Sequence, residues 1–175
     1  MEEQNNNHVL GNTEMDEKEF WTLLERSRRY SSEINKQNNH LESLISDLSP
    51  KEIVGFNRTM ERLFDELGDS SVYYNEFDDE DKYPEEPDHI KYLIISLGEK
   101  HYYAVKQTPD YLFYLLDYDC GIDNLHIYAG IDRTHSVFYK KTNQSLRDIT
   151  LAIDRLEELE QDHKEKQEQD QELEP

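Results

Sequence analysis

The sequence has a single cysteine, Cys120, so no disulfide can form within the chain. Chains without disulfides are typical of reducing compartments, which favours a cytoplasmic protein. No apolar run approaches the roughly 18 residues that a membrane-spanning helix needs, so none is expected to cross a membrane. The first residues, MEEQNNNHVLGNTE, also lack the basic start and the apolar stretch of a signal peptide.

Positive charge is scarce as well. The chain has 19 Lys and Arg against 40 Asp and Glu, which gives a net charge of −21. Much of the excess lies in three stretches, 1–16, 76–88 and 154–175, which carry −4, −7 and −7. Direct nucleic-acid binding is therefore not expected, because phosphate groups are neutralised by a basic surface. An acidic surface favours a basic protein partner instead.

Apolar residues make up 35% of the chain, below the usual 45–50% or so. They are concentrated between Phe20 and Leu159, and one Trp, 12 Tyr and 6 Phe add large rings for a core. We therefore predict a mobile N-terminal tail over 1–14, one helical domain over 15–160 and a charged C-terminal tail over 161–175.

The stretch MDEKEFWTLL carries the signals of a helix start. Asp16 can accept a hydrogen bond from the Glu19 amide as N-cap, and Glu19 can reach back in a capping-box-like pair. Met15 and Phe20 occupy the two positions of a hydrophobic staple. With apolar residues following at helical spacing, this predicts a helix over Glu17–Tyr30.

A second helix is predicted over Ser32–Leu48, where apolar residues recur on one side. The next start, LSPKEI, is a stronger signal: Ser49 caps, Pro50 takes the first helical position and Glu52 closes a capping box. The third helix runs from there and ends at Gly68. Three successive amphipathic helices with short connections are typical of a helical bundle.

The segment 75–89 interrupts this pattern with two prolines and a charge run, which predicts an acidic loop. Beyond it we predict a helix over Ile90–Gln107 and a short helix over Asp110–Leu116. Residues 124–141 fit both helical and strand spacing, and the setting favours helix. A last helix begins near Ser145. The expected fold class is all-α: a single-domain helical bundle of about six helices with an acidic loop and polar tails.

Four stretches occur in one order along the chain: MDEKEFWTLLERSR, LESLISDLSPKEIVGFNRTMERLFDEL, IKYLIISLGEKHYYAVKQTPDYL and VFYKKTNQ. Together they resemble a bacterial domain of unknown function, number 4240, over roughly residues 15–145. Its motifs fall on Phe20 and Trp21, on residues 92–98 with Tyr92 where the family usually has Trp, on Pro109 and Asp110, and on 139–142. The resemblance implies a mostly helical domain, supports helix over 124–141 and brings no established activity.

One segment departs from that family. Its members commonly have an Asp-rich segment with Gly and Cys before the aromatic-Leu-Ile helix. This chain has the proline-broken acidic loop there, with neither Gly nor Cys. No activity seated in that segment of relatives is carried over to this sequence.

Three aspartates lie around Gly121 at a spacing similar to that of a calcium-binding loop: Asp117, Asp119 and Asp123. The glycine stands fifth rather than sixth, however, and Tyr128 occupies the place of the bidentate Glu. We interpret the stretch as an Asp/Gly turn, and expect neither a metal nor another cofactor. Cys120 lies among these acids, which disfavour the thiolate that a nucleophile needs.

Four adjacent acids of the predicted loop are the candidate contacts to a basic partner: Asp78, Asp79, Glu80 and Asp81. Such a run is also typical of a merely solvated segment. Tyr73, Tyr74 and Trp21 add rings with polar tips, which suit an interface. The alternative is that these rings pack within the core or at its edge.

These features predict a protein-interaction module that binds a basic partner, in an immunity-like or regulatory role. The alternative is an enzyme or small-ligand-binding protein with a helical groove lined by Trp, Tyr and carboxylates. A third hypothesis is an oligomerising scaffold whose seam is the apolar stripe over 146–159, exposed in the monomer. The sequence favours a role without catalysis and predicts no catalytic residue.

Overall fold

The computed structural model describes residues 14–31, 33–73, 89–115 and 129–155. Over these ranges the chain forms helices and no strand, which confirms the predicted all-α fold class. Seven α-helices of the described ranges are labelled α1 (Glu17–Tyr30), α2 (Ile34–Asp47), α3 (Pro50–Glu66), α4 (His89–Ser96), α5 (Glu99–Gln107), α6 (Tyr111–Tyr114) and α7 (Ala129–Thr142). A 3-10 turn covers Ser70–Tyr73, and residues 146–155 are helical as well.

The first helix begins where its local signals predict. Asp16 Oδ1 accepts a hydrogen bond of 3.2 Å from the Glu19 amide. Met15 is buried, and its amide donates to the Gly55 carbonyl at 3.0 Å. The Thr59 hydroxyl returns a 2.9 Å hydrogen bond to the Met15 carbonyl. The residues just before α1 are therefore fixed to the middle of α3.

The third helix also begins as predicted, with a complete capping box. Ser49 Oγ accepts from the Glu52 amide at 3.3 Å, and Glu52 Oε2 accepts from the Ser49 amide at 2.7 Å. Pro50 occupies the first turn, where a missing N–H costs nothing. The helix ends before Gly68, whose φ of 70° is the left-handed conformation that glycine adopts freely.

Packing centres on α3, most of whose middle is buried. Phe20 of α1 meets Phe56 of α3 with 4.8 Å between ring centroids. Trp21 stacks obliquely on Tyr102 of α5 at 5.4 Å, so α1, α3 and α5 share one aromatic cluster. On other sides α2 packs against α1 and α7, and α3 packs against α4 and α7.

The predicted helix over Ile90–Gln107 is corrected to two helices. The chain breaks at Gly98, which has φ 90° and ψ 168° and precedes the first turn of α5. Arg28 of α1 reaches this break, where its Nη1 donates to the Leu97 carbonyl at 2.5 Å. That side chain supplies a donor to a carbonyl at the end of α4, where the chain turns into α5.

Of the ambiguous stretch 124–141, residues 129–141 are described, and they belong to α7. The preference for helix is confirmed over these residues. The helix over 146–155 packs on the core through Leu146 and Ile153, which are 1% and 5% exposed. The scaffold hypothesis required an exposed stripe, and these two residues are buried in the monomer. Leu156 and Leu159 lie outside the described residues.

The predicted tails and most of the predicted acidic loop also lie outside the described residues, except that His89 begins α4. Within the described ranges, no helix combines the length and the apolar composition that crossing a bilayer requires.

Candidate functional site

The densest polar cluster of the described residues lies where α1, α3 and α5 meet at the surface. We call it the Arg62 cluster. Its members are Glu14, Glu17, Arg62, Glu66, Tyr103 and Lys106. Arg62 projects from α3 as part of the polar side of that amphipathic helix, and its side chain is 31% exposed.

Three carboxylates surround the Arg62 guanidinium. Nε donates to Glu14 Oε2 and Nη2 to Glu17 Oε2, both at 2.9 Å. Nη1 donates to Glu66, one helical turn further along α3. Because Glu14 lies just before α1 and Glu17 is its first residue, one planar cation joins the start of the first helix to the third.

The same carboxylates receive further donors from α1 and α5. Trp21 Nε1 donates to Glu17 Oε1 at 3.1 Å, and the Tyr103 hydroxyl donates to that oxygen as well. Lys106 Nζ donates to Glu66 Oε2 at 2.5 Å. The Arg62 cluster therefore ties α5 to the other two helices.

The pKa values follow from these contacts. Partial burial alone would raise the pKa of Glu17, but hydrogen bonds from Tyr103, Trp21 and Arg62 lower it. In Glu66, burial is likewise outweighed by Lys106 and Arg62, which lower the pKa of that carboxyl. The bond to Glu17, aided by burial, raises the pKa of Tyr103 to about 12.

This arrangement is suited to holding helices together rather than to proton transfer. Lowered pKa values keep Glu17 and Glu66 ionised at neutral pH, and a raised pKa keeps Tyr103 protonated. A general acid or base works best when its pKa lies near the operating pH. The groups also bind one another. The Trp, Tyr and carboxylate side chains that the groove alternative requires are therefore already paired with each other in this cluster.

A second polar group lies between α3, α7 and the 146–155 helix. Arg58 is 9% exposed and donates to Asp154 Oδ1 at 2.6 Å. Asn57 Nδ2 donates to Glu61 Oε1 at 2.9 Å, while the buried Asn57 Oδ1 accepts no hydrogen bond from the described residues. Desolvation chiefly, with the charge of Asp154 adding to it, raises the pKa of Glu61. No trio of His, Cys, Asp or Glu within the described ranges is placed to hold a metal ion.

The sequence-predicted partner residues fall into two groups. Asp78, Asp79, Glu80 and Asp81 lie outside the described residues, as does Tyr74. Trp21 and Tyr73 are 4% and 3% exposed, so both rings are in the core. The Tyr73 hydroxyl donates to the Leu67 carbonyl at 3.0 Å, and burial raises the pKa of its phenol. The Asp and Cys residues around Gly121 also lie outside the described residues.

Sequence reasoning missed Arg62, Tyr103 and Lys106. One signal was available, because Arg62 and Glu66 stand four residues apart on a predicted helix and such pairs face each other. The other partners are distant: Arg62 meets Glu17 across 45 positions, and Tyr103 meets it across 86. Spacing within one helix carries no information on such contacts.

Charge is divided unevenly between the described and the remaining residues. The described ranges hold 18 Asp and Glu against 16 Lys and Arg, a net charge of −2. The remaining residues therefore carry −19 of the total of −21. The negative charge of this protein is concentrated outside its described helices.

Comparison with known proteins places the chain in a family. No curated protein and no solved structure is significantly similar to it. The predicted resemblance is confirmed, with the matched range ending five residues earlier than expected. Because the model of the family described as "Protein of unknown function (DUF4240)" matches residues 15–140, most of the chain, this protein belongs to that family.

Proposed function

We propose that this protein is an interaction module that binds a basic protein partner through its acidic segment, 76–88. The role is immunity-like, in which the partner is a basic toxin held inactive, or regulatory. The division of charge carries the proposal: near-neutral helices are joined to segments that hold almost all of the net charge. Opposite potentials speed the encounter of two proteins and suppress wrong partners.

The ends of the acidic segment support this role. Tyr73 precedes it and Ile90 follows it, and their side chains are 3% and 1% exposed. The 3-10 turn that ends at Tyr73 packs against α4, which contains Ile90. The chain therefore enters and leaves the acidic segment at two elements that pack together.

The experiment compares two variants with the same net charge. One neutralises Asp78→Asn, Asp79→Asn, Glu80→Gln and Asp81→Asn. The control neutralises four acids near the C-terminus: Glu168→Gln, Asp170→Asn, Glu172→Gln and Glu174→Gln. Each purified protein serves as bait in the cytosol of the source cell at low and high salt, and captured proteins are identified by mass spectrometry.

We expect wild type and the C-terminal control to retain a basic protein that high salt releases. The 78–81 variant should lose it. Equal capture by both variants would overturn the assignment to this segment, and a captured partner without a basic surface would overturn the proposed function. If only a small metabolite stabilises the protein against heat, the alternative of a ligand-binding protein is favoured.

A further inference from the structure

A buried amide on α3 has an acceptor that no described residue satisfies. Asn57 is 2% exposed, and its Nδ2 donates to Glu61 Oε1 at 2.9 Å. Its Oδ1 is buried and accepts no hydrogen bond from the described residues. Turning the amide over would place two oxygens against each other at Glu61, so the bond to Glu61 fixes its orientation. Buried polar atoms are nearly always paired, and this carbonyl therefore favours a ligand that donates a hydrogen bond.

Two carboxylates lie beside this amide. Glu61 stands one helical turn along α3, Asp154 belongs to the last described helix, and both are exposed to solvent. Burial chiefly, and then the charge of Asp154, raise the pKa of Glu61. The hydrogen bond from Asn57 and the charges of His135 and Arg58 act in the opposite direction without outweighing them. The carboxylate of Glu61 is therefore not fully compensated by the groups around it.

We propose that Asn57, Glu61 and Asp154, together called the Asn57 site, bind a basic side chain of the partner, an inference that rests on the proposed function. A lysine ammonium or an arginine guanidinium carries hydrogen-bond donors and no acceptor. It meets the two exposed carboxylates first. Oδ1 shares a carbon with the Nδ2 that faces Glu61, so rotation of the exposed Glu61 side chain admits the same donor to Oδ1.

Other classes of ligand match the Asn57 site less well. An anion would be repelled by two carboxylates. A metal ion lacks a suitable set of ligands, since no trio of His, Cys, Asp or Glu in the described part of the chain is placed to hold one. A neutral donor such as a hydroxyl would satisfy Asn57 Oδ1 but would leave the charge of Glu61 uncompensated.

The test follows the full chain by NMR while an octa-lysine peptide is added at an ionic strength of about 0.15 M. The side-chain amide signals of Asn57 report on the Asn57 site, and the backbone amide signals of 76–88 report on the acidic segment. We expect both sets of signals to shift. The pKa of Glu61, measured from its carboxyl carbon, should fall when the peptide is bound, because a nearby cation favours the ionised form. Sodium chloride of equal ionic strength should cause neither change.

Two variants with the same net charge separate the Asn57 site from general attraction. Glu61→Gln keeps the size of an exposed side chain and removes its charge. It should weaken the affinity measured at Asn57 about 2- to 5-fold and leave the affinity measured at 76–88 unchanged. Asp148→Asn is the matched control, because it removes an exposed acid from the helix that holds Asp154. It should leave both affinities unchanged.

The outcomes distinguish the two proposals. If the signals of 76–88 shift while those of Asn57 and Glu61 do not, the Asn57 site is overturned and binding by the acidic segment stands. Equal affinity at Asn57 in wild type and Glu61→Gln would overturn the site as well. If Asn57 responds and 76–88 does not, the site stands and the assignment of the proposed function to that segment falls. If no signal shifts, both proposals fall.

Discussion

At the scale of single residues, Gly98 explains a family motif in physical terms. The motif aromatic-Leu-Ile-x-x-x-Gly ends at this glycine, where the chain turns from α4 to α5. A φ of 90° is strained for any residue with a Cβ. A Cβ at this position would also collide with Arg28 Nη1, the group that donates to the Leu97 carbonyl. The backbone conformation therefore requires glycine here, and a Cβ would in addition force the Arg28 guanidinium to move away from the Leu97 carbonyl.

We expect Gly98→Ala to lower the free energy of unfolding by about 2–3 kcal/mol. Gly68→Ala is the comparison for a positive φ in open space, because no described residue lies within 4 Å of the added Cβ there, whereas Gly98, at φ 90° and ψ 168°, also occupies a backbone region that almost only glycine adopts. Backbone strain alone should cost Gly68→Ala about 1 kcal/mol. Urea denaturation measures both. If Gly98→Ala and Gly68→Ala lowered the free energy of unfolding equally, the role assigned to the Arg28 hydrogen bond would be contradicted.

At the scale of elements, the 146–155 helix is part of the core of the monomer. Ile153 is 5% exposed and Leu151, on the same helix, is 57% exposed. We expect Ile153→Ala to cost about 2–4 kcal/mol of stability, because it leaves a cavity, and Leu151→Ala to cost less than about 0.5 kcal/mol. Thermal or chemical denaturation provides the values.

Sedimentation of the same two variants tests the oligomer-seam hypothesis directly. If this helix packs within the monomer, neither variant changes the mass measured at a given concentration, apart from any unfolding by Ile153→Ala. A mass that falls in Leu151→Ala while its stability is unchanged would instead place this side chain in a contact between copies.

At the scale of the whole molecule, the Arg62 cluster makes stability depend on pH. The pKa values of Glu17 and Glu66 are lower in the folded protein than their ordinary values, despite partial burial. Such carboxyls stabilise the fold above their unfolded pKa of about 4.3, and this contribution is lost as the pH falls through the folded values. Glu61, with its raised pKa, contributes with the opposite sign.

We expect Arg62→Gln to lower stability at neutral pH by about 1–2 kcal/mol, since the cluster is partly exposed and screened. The variant should also lose less stability than wild type between about pH 5 and pH 3, because its carboxyls no longer have lowered pKa values to the same degree. Arg29→Gln is the control, because its side chain is 78% exposed and, among the described residues, pairs with the Glu25 carboxylate alone. Denaturation curves across pH test this, and an acid profile as steep as that of wild type would refute it.

Local chemistry made several elements predictable from sequence. The start of α1 follows from Asp16, and the start of α3 follows from Ser49, Pro50 and Glu52, because each cap forms between residues three apart. The break at Gly98 was not predictable in this way. It depends on Arg28, a side chain that reaches the glycine from another helix.

The candidate site residues likewise differ in whether their contacts are to residues close in sequence or far along the chain. Trp21 and Tyr73 were candidates for a partner surface because each carries a polar tip. Both are buried, and the polar tip of each has a hydrogen-bond partner close in sequence: Glu17 for Trp21 and the Leu67 carbonyl for Tyr73. The Arg62 cluster escaped prediction since most of its contacts join residues more than 30 positions apart.

The two buried residues that flank segment 74–88 also bear on how this protein can be modified. Tyr73 and Ile90 lie on elements that pack together, so the chain leaves and re-enters the described helices at neighbouring elements. The entropy of closing a loop grows only with the logarithm of its length, about 0.6 kcal/mol for each doubling. A fluorescent tag or an epitope inserted here would leave the helices intact, and natural insertions at this position would be cheap for the fold.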